Sequence, residues 1–233
     1  LHGFTQTRDS WSPVLQVMQS TFTPLRLDAP GHGNNTNGAR SLPQCAEEIA
    51  TSMKTGILVG YSMGARMALH VALLYPKMVT QLVLISGTPG LKTESERAAR
   101  QKSDNELAER IETIGLSAFL DEWLALPIFS GLSNETNQRN DRLRNTTQGL
   151  ADSLRFAGTG TQESQWSNLH QLSIPVHLIV GELDEKFTAI AREMKPLIST
   201  SELTVVENAG HTVHLENPTT TGQLLDSIIL RND

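Results

Sequence analysis

The sequence has little cysteine, no long apolar run and no block of basic charge, and each shortage removes a class of protein. Cys45 is the single cysteine among 233 residues, which excludes an intrachain disulfide framework and any cysteine-rich zinc site. Packing alone must hold the fold. No stretch approaches the roughly 18 consecutive apolar residues that span a bilayer, and no basic-then-apolar leader opens the chain. A soluble, cytoplasmic protein without a membrane partner is expected. Nineteen Lys and Arg against 25 Asp and Glu leave a formal net charge of −6, so no basic stripe is available for nucleic acid. The chain has no initiator Met, and Leu1-His2-Gly3-Phe4 reads as a loop that should follow a buried strand. Oligomeric state leaves no signal.

What is present is an alternation. Short apolar runs with β-branched residues recur at Thr23–Leu27, Gly56–Val59, Leu82–Ile85, Val176–Val180 and Leu203–Val206, with amphipathic stretches between most of them. The pattern predicts an α/β fold with a mostly parallel central sheet and flanking helices. It breaks between Ile85 and Val176, where the chain reads as almost wholly helical. We expect an inserted helical cap over residues 87–172 and a core formed by 1–86 and 173–233. The first cap helix, near Glu94–Ile114, places Arg100 on the same face as Leu107, Ile111 and Ile114 at about 100° per residue. A solubilising charge is not expected on an apolar stripe.

Gly60-Tyr61-Ser62-Met63-Gly64 follows the run ending at Val59 and precedes a helix-forming stretch stopped by Pro76. Strand, GxSxG turn and helix in direct succession form a nucleophile elbow. The glycines permit a sharp bend that lifts the Ser62 hydroxyl clear, and N–H groups at the new helix start, near Met63, can stabilise a reacting anion. A bare GxSxG is weak, because a structural turn uses the same residues; the flanking elements give it weight. A serine hydroxyl is a poor nucleophile or base at neutral pH, so the elbow requires a histidine to take its proton and a carboxylate to orient that histidine. Asp184, just past one apolar run, and His211, just past the next, supply both. His214 rivals His211 but already leads into the last helix. Glu182 and Glu185 rival Asp184 with longer side chains that face differently around the turn. Gly3 lets the N–H of Phe4 serve as a second oxyanion donor, and Asp28-Ala29-Pro30-Gly31-His32-Gly33 reads as a rigid supporting loop.

These segments together resemble the α/β-hydrolase superfamily over nearly the whole chain. Within it, Gly60-Tyr61-Ser62-Met63-Gly64-Ala65-Arg66, the stretch Ser86-Gly87-Thr88-Pro89-Gly90-Leu91 through Glu96-Arg97-Ala98-Ala99-Arg100-Gln101, and Glu122-Trp123 ahead of Leu126-Pro127-Ile128-Phe129 resemble the 2-succinyl-6-hydroxy-2,4-cyclohexadiene-1-carboxylate synthases of menaquinone biosynthesis. That resemblance implies a lyase. Ser62, activated by His211 and Asp184, would remove a ring proton from the 5-enolpyruvyl precursor, and pyruvate would leave by 2,5-elimination, with no acyl-enzyme, metal or cofactor. It further implies substrate contacts at Tyr61, Arg66, Arg100, Trp123 and Arg144, the last by its spacing to Asn145 and Gly149. The chain departs from the family at Ala65, where many relatives carry Gly, and in the absence of strands ahead of Leu1. The loop at Phe4 is therefore expected to lack support, in a trimmed chain or a damaged enzyme.

The arginines can be weighed on physical grounds as well. The implied substrate is a polycarboxylate and the protein is acidic, so binding requires a local cluster of cations, and the planar guanidinium suits carboxylates bidentately. Each arginine alone could instead be a structural ion-pair partner, Arg144 most of all because Arg139 and Arg142 are near; Trp123, with Phe119, could be cap core. Two other functions stay open: a serine hydrolase of small esters or of carbon–carbon bonds beside a ketone, and a non-catalytic binding module on the same fold.

Overall fold

The computed structural model of the chain describes residues 1–230. Its elements are α1 (Ser12–Val17), α2 (Leu42–Ser52), β1 (Gly56–Tyr61), α3 (Met63–Leu74), β2 (Val79–Ile85), α4 (Glu94–Leu124), α5 (Arg139–Arg142), α6 (Thr147–Ala157), β3 (Val176–Gly181), α7 (Glu185–Met194), β4 (Ser201–Val206), α8 (Val213–Glu216) and α9 (Pro218–Leu230). The four strands pair in parallel in the order β1-β2-β3-β4. Parallel strands need crossovers, and helices supply them on both faces, which explains the near-continuous apolar sequence of the strands.

The period-two alternation of a strand sorts side chains between the two faces. Leu82 and Leu84 of β2, with Leu58, Leu178 and Val180, pack on α2, α3 and α7. Val83 and Ile85, with Tyr61, Ile179 and Val206, pack on α1, α8 and α9. Cys45 lies fully buried in the first of these layers, its Sγ donating to the Arg40 carbonyl oxygen at 3.8 Å.

The run Thr23–Leu27 forms no strand. Its backbone joins no ladder, and Phe22 and Leu25 stay exposed. An apolar, β-branched run becomes a strand only where another strand lies within hydrogen-bonding reach. The backbone of Leu1 runs beside the end of β1 on the side away from β2, its N–H donating to the Val59 carbonyl at 2.6 Å and its carbonyl accepting from the Tyr61 N–H at 3.0 Å.

Between β2 and β3 the described residues hold helices and turns only. A capping box starts α4, with Thr93 Oγ1 accepting from the Glu96 N–H and Glu96 Oε2 from the Thr93 N–H. Gly115, at φ 78° and ψ 163°, breaks this helix directly after Ile114. The two halves and α6 enclose their own apolar cluster around Ile111, Phe119, Leu120 and Leu150, against which Phe4 of the core packs.

Candidate active site

The bend between β1 and α3 is built for close approach. A Cβ at Gly60 would strike the backbone of Gly64, and one at Gly64 would strike the carbonyls of Leu1 and His2, so both positions need glycine. Between them Ser62 is held at φ 51° and ψ −107°, a conformation that costs a non-glycine residue on the order of 1–3 kcal/mol and is characteristic of functional sites.

Ser62 lies 3.1 Å from His211 Nε2, and His211 Nδ1 lies 2.6 Å from Asp184 Oδ2. The Asp184 carboxylate can only accept, so the ring carries its proton on Nδ1, and in the neutral imidazole Nε2 is free to accept from the Ser62 hydroxyl. Asp184 is anchored in turn, because its Oδ1 accepts from the Phe187 N–H that opens α7, and the Phe187 ring rests 4.4 Å from that of His211. His214 faces away from this relay: its Nε2 meets the Gln6 amide at 3.3 Å and its ring packs on Trp11 and Tyr61.

The loop carrying Phe4 is supported, contrary to the expectation from its sequence context. His2 Nδ1 donates to the Gly3 carbonyl while its Nε2 accepts from the Ala29 N–H, Gly3 N–H donates to Gln6 Oε1, and His32 Nε2 accepts from the Thr5 N–H. The Asn145 amide adds a bond to the Thr5 carbonyl at 2.6 Å. Two buried histidines of the core thus help to fix the loop.

Ser62, His211, Phe4 and Met63 open onto a cavity of about 400 Å³ that residues of α4 and α6 also line. Four cations line it, Arg66, Arg100, Arg142 and Lys186, against one carboxylate, Asp104. Arg66 is buried, donating to the Ala157 carbonyl at 2.9 Å. Arg100, half-exposed, also lines the cavity and donates through Nε to Asp104 at 2.7 Å. Arg142 is 1% exposed; its Nε donates to the Asn137 carbonyl, Nη1 binds the Thr5 hydroxyl, and the buried Nη2 has no partner. Burial pulls the pKa of both Arg66 and Arg142 down to about 10, so both remain cationic at neutral pH.

This geometry has known counterparts: residues 1–222 match the family described as "Alpha/beta hydrolase family". The chain belongs to that family. It is 40% identical over 243 residues to a Bacillus subtilis (strain 168) protein provisionally named 2-succinyl-6-hydroxy-2,4-cyclohexadiene-1-carboxylate synthase, covering 98% of this chain and 88% of that one. It is 30% identical over 226 residues to the synthase of that name from Escherichia coli O1:K1, covering 94% and 87%. Among solved structures, MenH from S. aureus superposes with a TM-score of 0.92 at 26% identity over 99% of this chain and 92% of that one. An esterase from Thermogutta terrifontis, at 21% identity and a TM-score of 0.79, shares the fold. Within the alpha/beta hydrolases the chain therefore groups with the synthases.

Of the residues singled out from sequence, Ser62, His211, Phe4, Met63, Tyr61, Arg66, Arg100 and Trp123 line the alpha/beta hydrolase cavity, with Asp184 behind His211. Tyr61 is buried, its hydroxyl donating to Thr212 Oγ1 at 3.3 Å, and burial pushes its phenol pKa up. Trp123 sits in an aromatic group with Phe4, Phe119 and Phe129, its buried indole N–H unpartnered. Arg144 stands apart. It pairs with Asp9 at 2.5 Å and Asp141 at 2.8 Å, half-exposed and away from the cavity. Arg142 lines the cavity in its place, because residues two apart on a helical turn face nearly opposite ways. Two further residues of the lining are Asp104, whose four-residue spacing from Arg100 is visible in the sequence, and Lys186, which carries no such signal.

Proposed function

We propose that this chain eliminates pyruvate from 2-succinyl-5-enolpyruvyl-6-hydroxy-3-cyclohexene-1-carboxylate to give 2-succinyl-6-hydroxy-2,4-cyclohexadiene-1-carboxylate. The observation that carries this reading is the arrival of Arg66, Arg100 and Arg142 around the cavity onto which Ser62 and His211 open. A site for neutral esters has no use for three such cations, whereas a substrate with three carboxylates needs them in a protein of net charge −6. The named relatives support the same chemistry.

In this mechanism the guanidinium groups orient the substrate so that a ring C–H faces the Ser62 oxygen. His211 Nε2 accepts the serine proton as that oxygen takes the ring proton, and Asp184 stabilises the imidazolium that forms. The electron pair released from the C–H bond forms a double bond to the next ring carbon, the ring double bond already present shifts one position along, and the C–O bond to the enolpyruvyl group breaks; the departing enolpyruvate takes up the proton held by His211 and becomes pyruvate. The N–H groups of Phe4 and Met63 are suited to hold the negative charge that develops. Water has no part in the balance, so this triad serves as a base and forms no acyl-enzyme. The single buried cysteine and the lack of any described helix able to cross a membrane fit a cytoplasmic setting.

The test is to assay purified protein with the enolpyruvyl precursor and with nitrophenyl acetate. Pyruvate release from the first is expected. Rapid ester turnover without pyruvate would overturn the reading in favour of a hydrolase.

A further inference from the structure

Arg66 is buried in the cavity wall with neutral partners only. Its Nη1 donates to the Ala157 carbonyl at 2.9 Å and to Gln162 Oε1 at 3.4 Å, and among the described residues it forms no ion pair within 4.0 Å. Taking a guanidinium out of water with no carboxylate in direct contact is costly, and Asp104, beyond ion-pair distance, offsets that cost only in part. A glutamate at position 162, of the same length, would offset that cost, yet the position holds glutamine.

Gln162 is 1% exposed, and its Nε2 is buried without a partner. Its place is held from both sides. The turn before it is fixed where the Gly160 N–H donates to Asp104, the carboxylate that also grips Arg100, and Gly90, at φ 100°, leaves room for the Gln162 side chain, which a Cβ there would crowd. Residue 162 follows α6, whereas Arg66 belongs to the elbow helix. A neutral group from outside the elbow therefore contacts a core cation, beside the shorter bond to the Ala157 carbonyl.

We propose that Gln162 is a specificity-determining positioning residue, whose amide holds the Arg66 guanidinium in place and leaves its charge free for a carboxylate of the substrate. This rests on the reading of the cavity as a polycarboxylate site. A carboxylate at 162 would neutralise Arg66 from behind and repel the incoming anion, exchanging binding for stability.

The experiment compares Gln162→Glu and Gln162→Met with the wild type in three measurements: citrate binding by calorimetry, KM and kcat for pyruvate release, and thermal melting. Gln162→Glu should melt no lower than the wild type, bind citrate roughly tenfold more weakly and raise KM more than it lowers kcat. Gln162→Met, which keeps the site neutral, should melt lower yet bind citrate better than Gln162→Glu does. Wild-type citrate affinity in Gln162→Glu, equal binding losses in the two variants, or failure of Gln162→Glu to fold would each overturn the inference. Wild-type protein that binds citrate but releases no pyruvate would overturn the assigned reaction alone. Pyruvate release with an unaltered KM in Gln162→Glu would overturn the role of Gln162 alone.

Discussion

Arg142 and Arg144 sit two positions apart and meet opposite fates, one sealed against the cavity and the other paired at the surface with Asp9 and Asp141. Replacing Arg142 by Lys removes the planar guanidinium that bonds Asn137 and Thr5 at the cavity wall, so KM for the elimination should rise by roughly tenfold or more. Arg144→Gln should leave KM within about twofold, since exposed ion pairs contribute about 0–1 kcal/mol. A steady-state comparison of the two variants checks both, and the reverse ranking would return Arg144 to the substrate. Ser62→Ala should lose on the order of 10⁴ to 10⁶ in turnover with an unchanged melting curve. The relay was legible in the sequence because its members are tied to local features, a GxSxG bend and two loops after apolar runs. The arginine was not, because spacing to Asn145 and Gly149 cannot tell which side of a short helical turn faces inward.

Elements were readable in proportion to how local their cause is. The elbow helix and the cap helix from Glu94 carry their own start and stop chemistry, and the boundary expected near Ile114 coincides with the Gly115 break. Thr23–Leu27 has the composition of a strand, but pairing depends on a neighbour that composition cannot reveal. Gly115 offers a test at this scale. Its φ and ψ belong to a region that only glycine occupies readily, and a Cβ there would meet nothing within 4 Å, so Gly115→Ala isolates the backbone cost. It should destabilise the protein by about 1–3 kcal/mol, read by urea unfolding. A stability equal to that of the wild type would show that the cap helix straightens there without penalty.

Over the whole molecule, a cation-lined cavity is set into an acidic body. Attraction of a polyanion should therefore be short-ranged and sensitive to screening: kcat/KM should fall as salt rises from about 0.01 to 0.5 M, where the Debye length shrinks from about 30 Å to a few ångströms. A rate that rises with salt would mean that the global charge governs encounter. Stability should depend on pH through the buried histidines. Burial lowers the pKa of His32 to about 4 from its ordinary 6.5, and holds His2 and His214 well below it. Between pH 6.5 and 4 the unfolded chain binds more protons than the folded one, so these groups withdraw stability as pH falls, about 1.4 kcal/mol per pH unit each, and have no effect above that window. Equal unfolding free energies at pH 7.5 and 5 would contradict this.

The sole thiol of the chain lies sealed between sheet and helices, with its pKa pushed up to about 12 by burial. At neutral pH it is neither a thiolate nor reachable by an alkylating reagent. A cysteine placed on an exposed turn between α4 and α6 would thus be the single position to react, so a fluorophore or spin probe can be attached there without first engineering away the native sulfur.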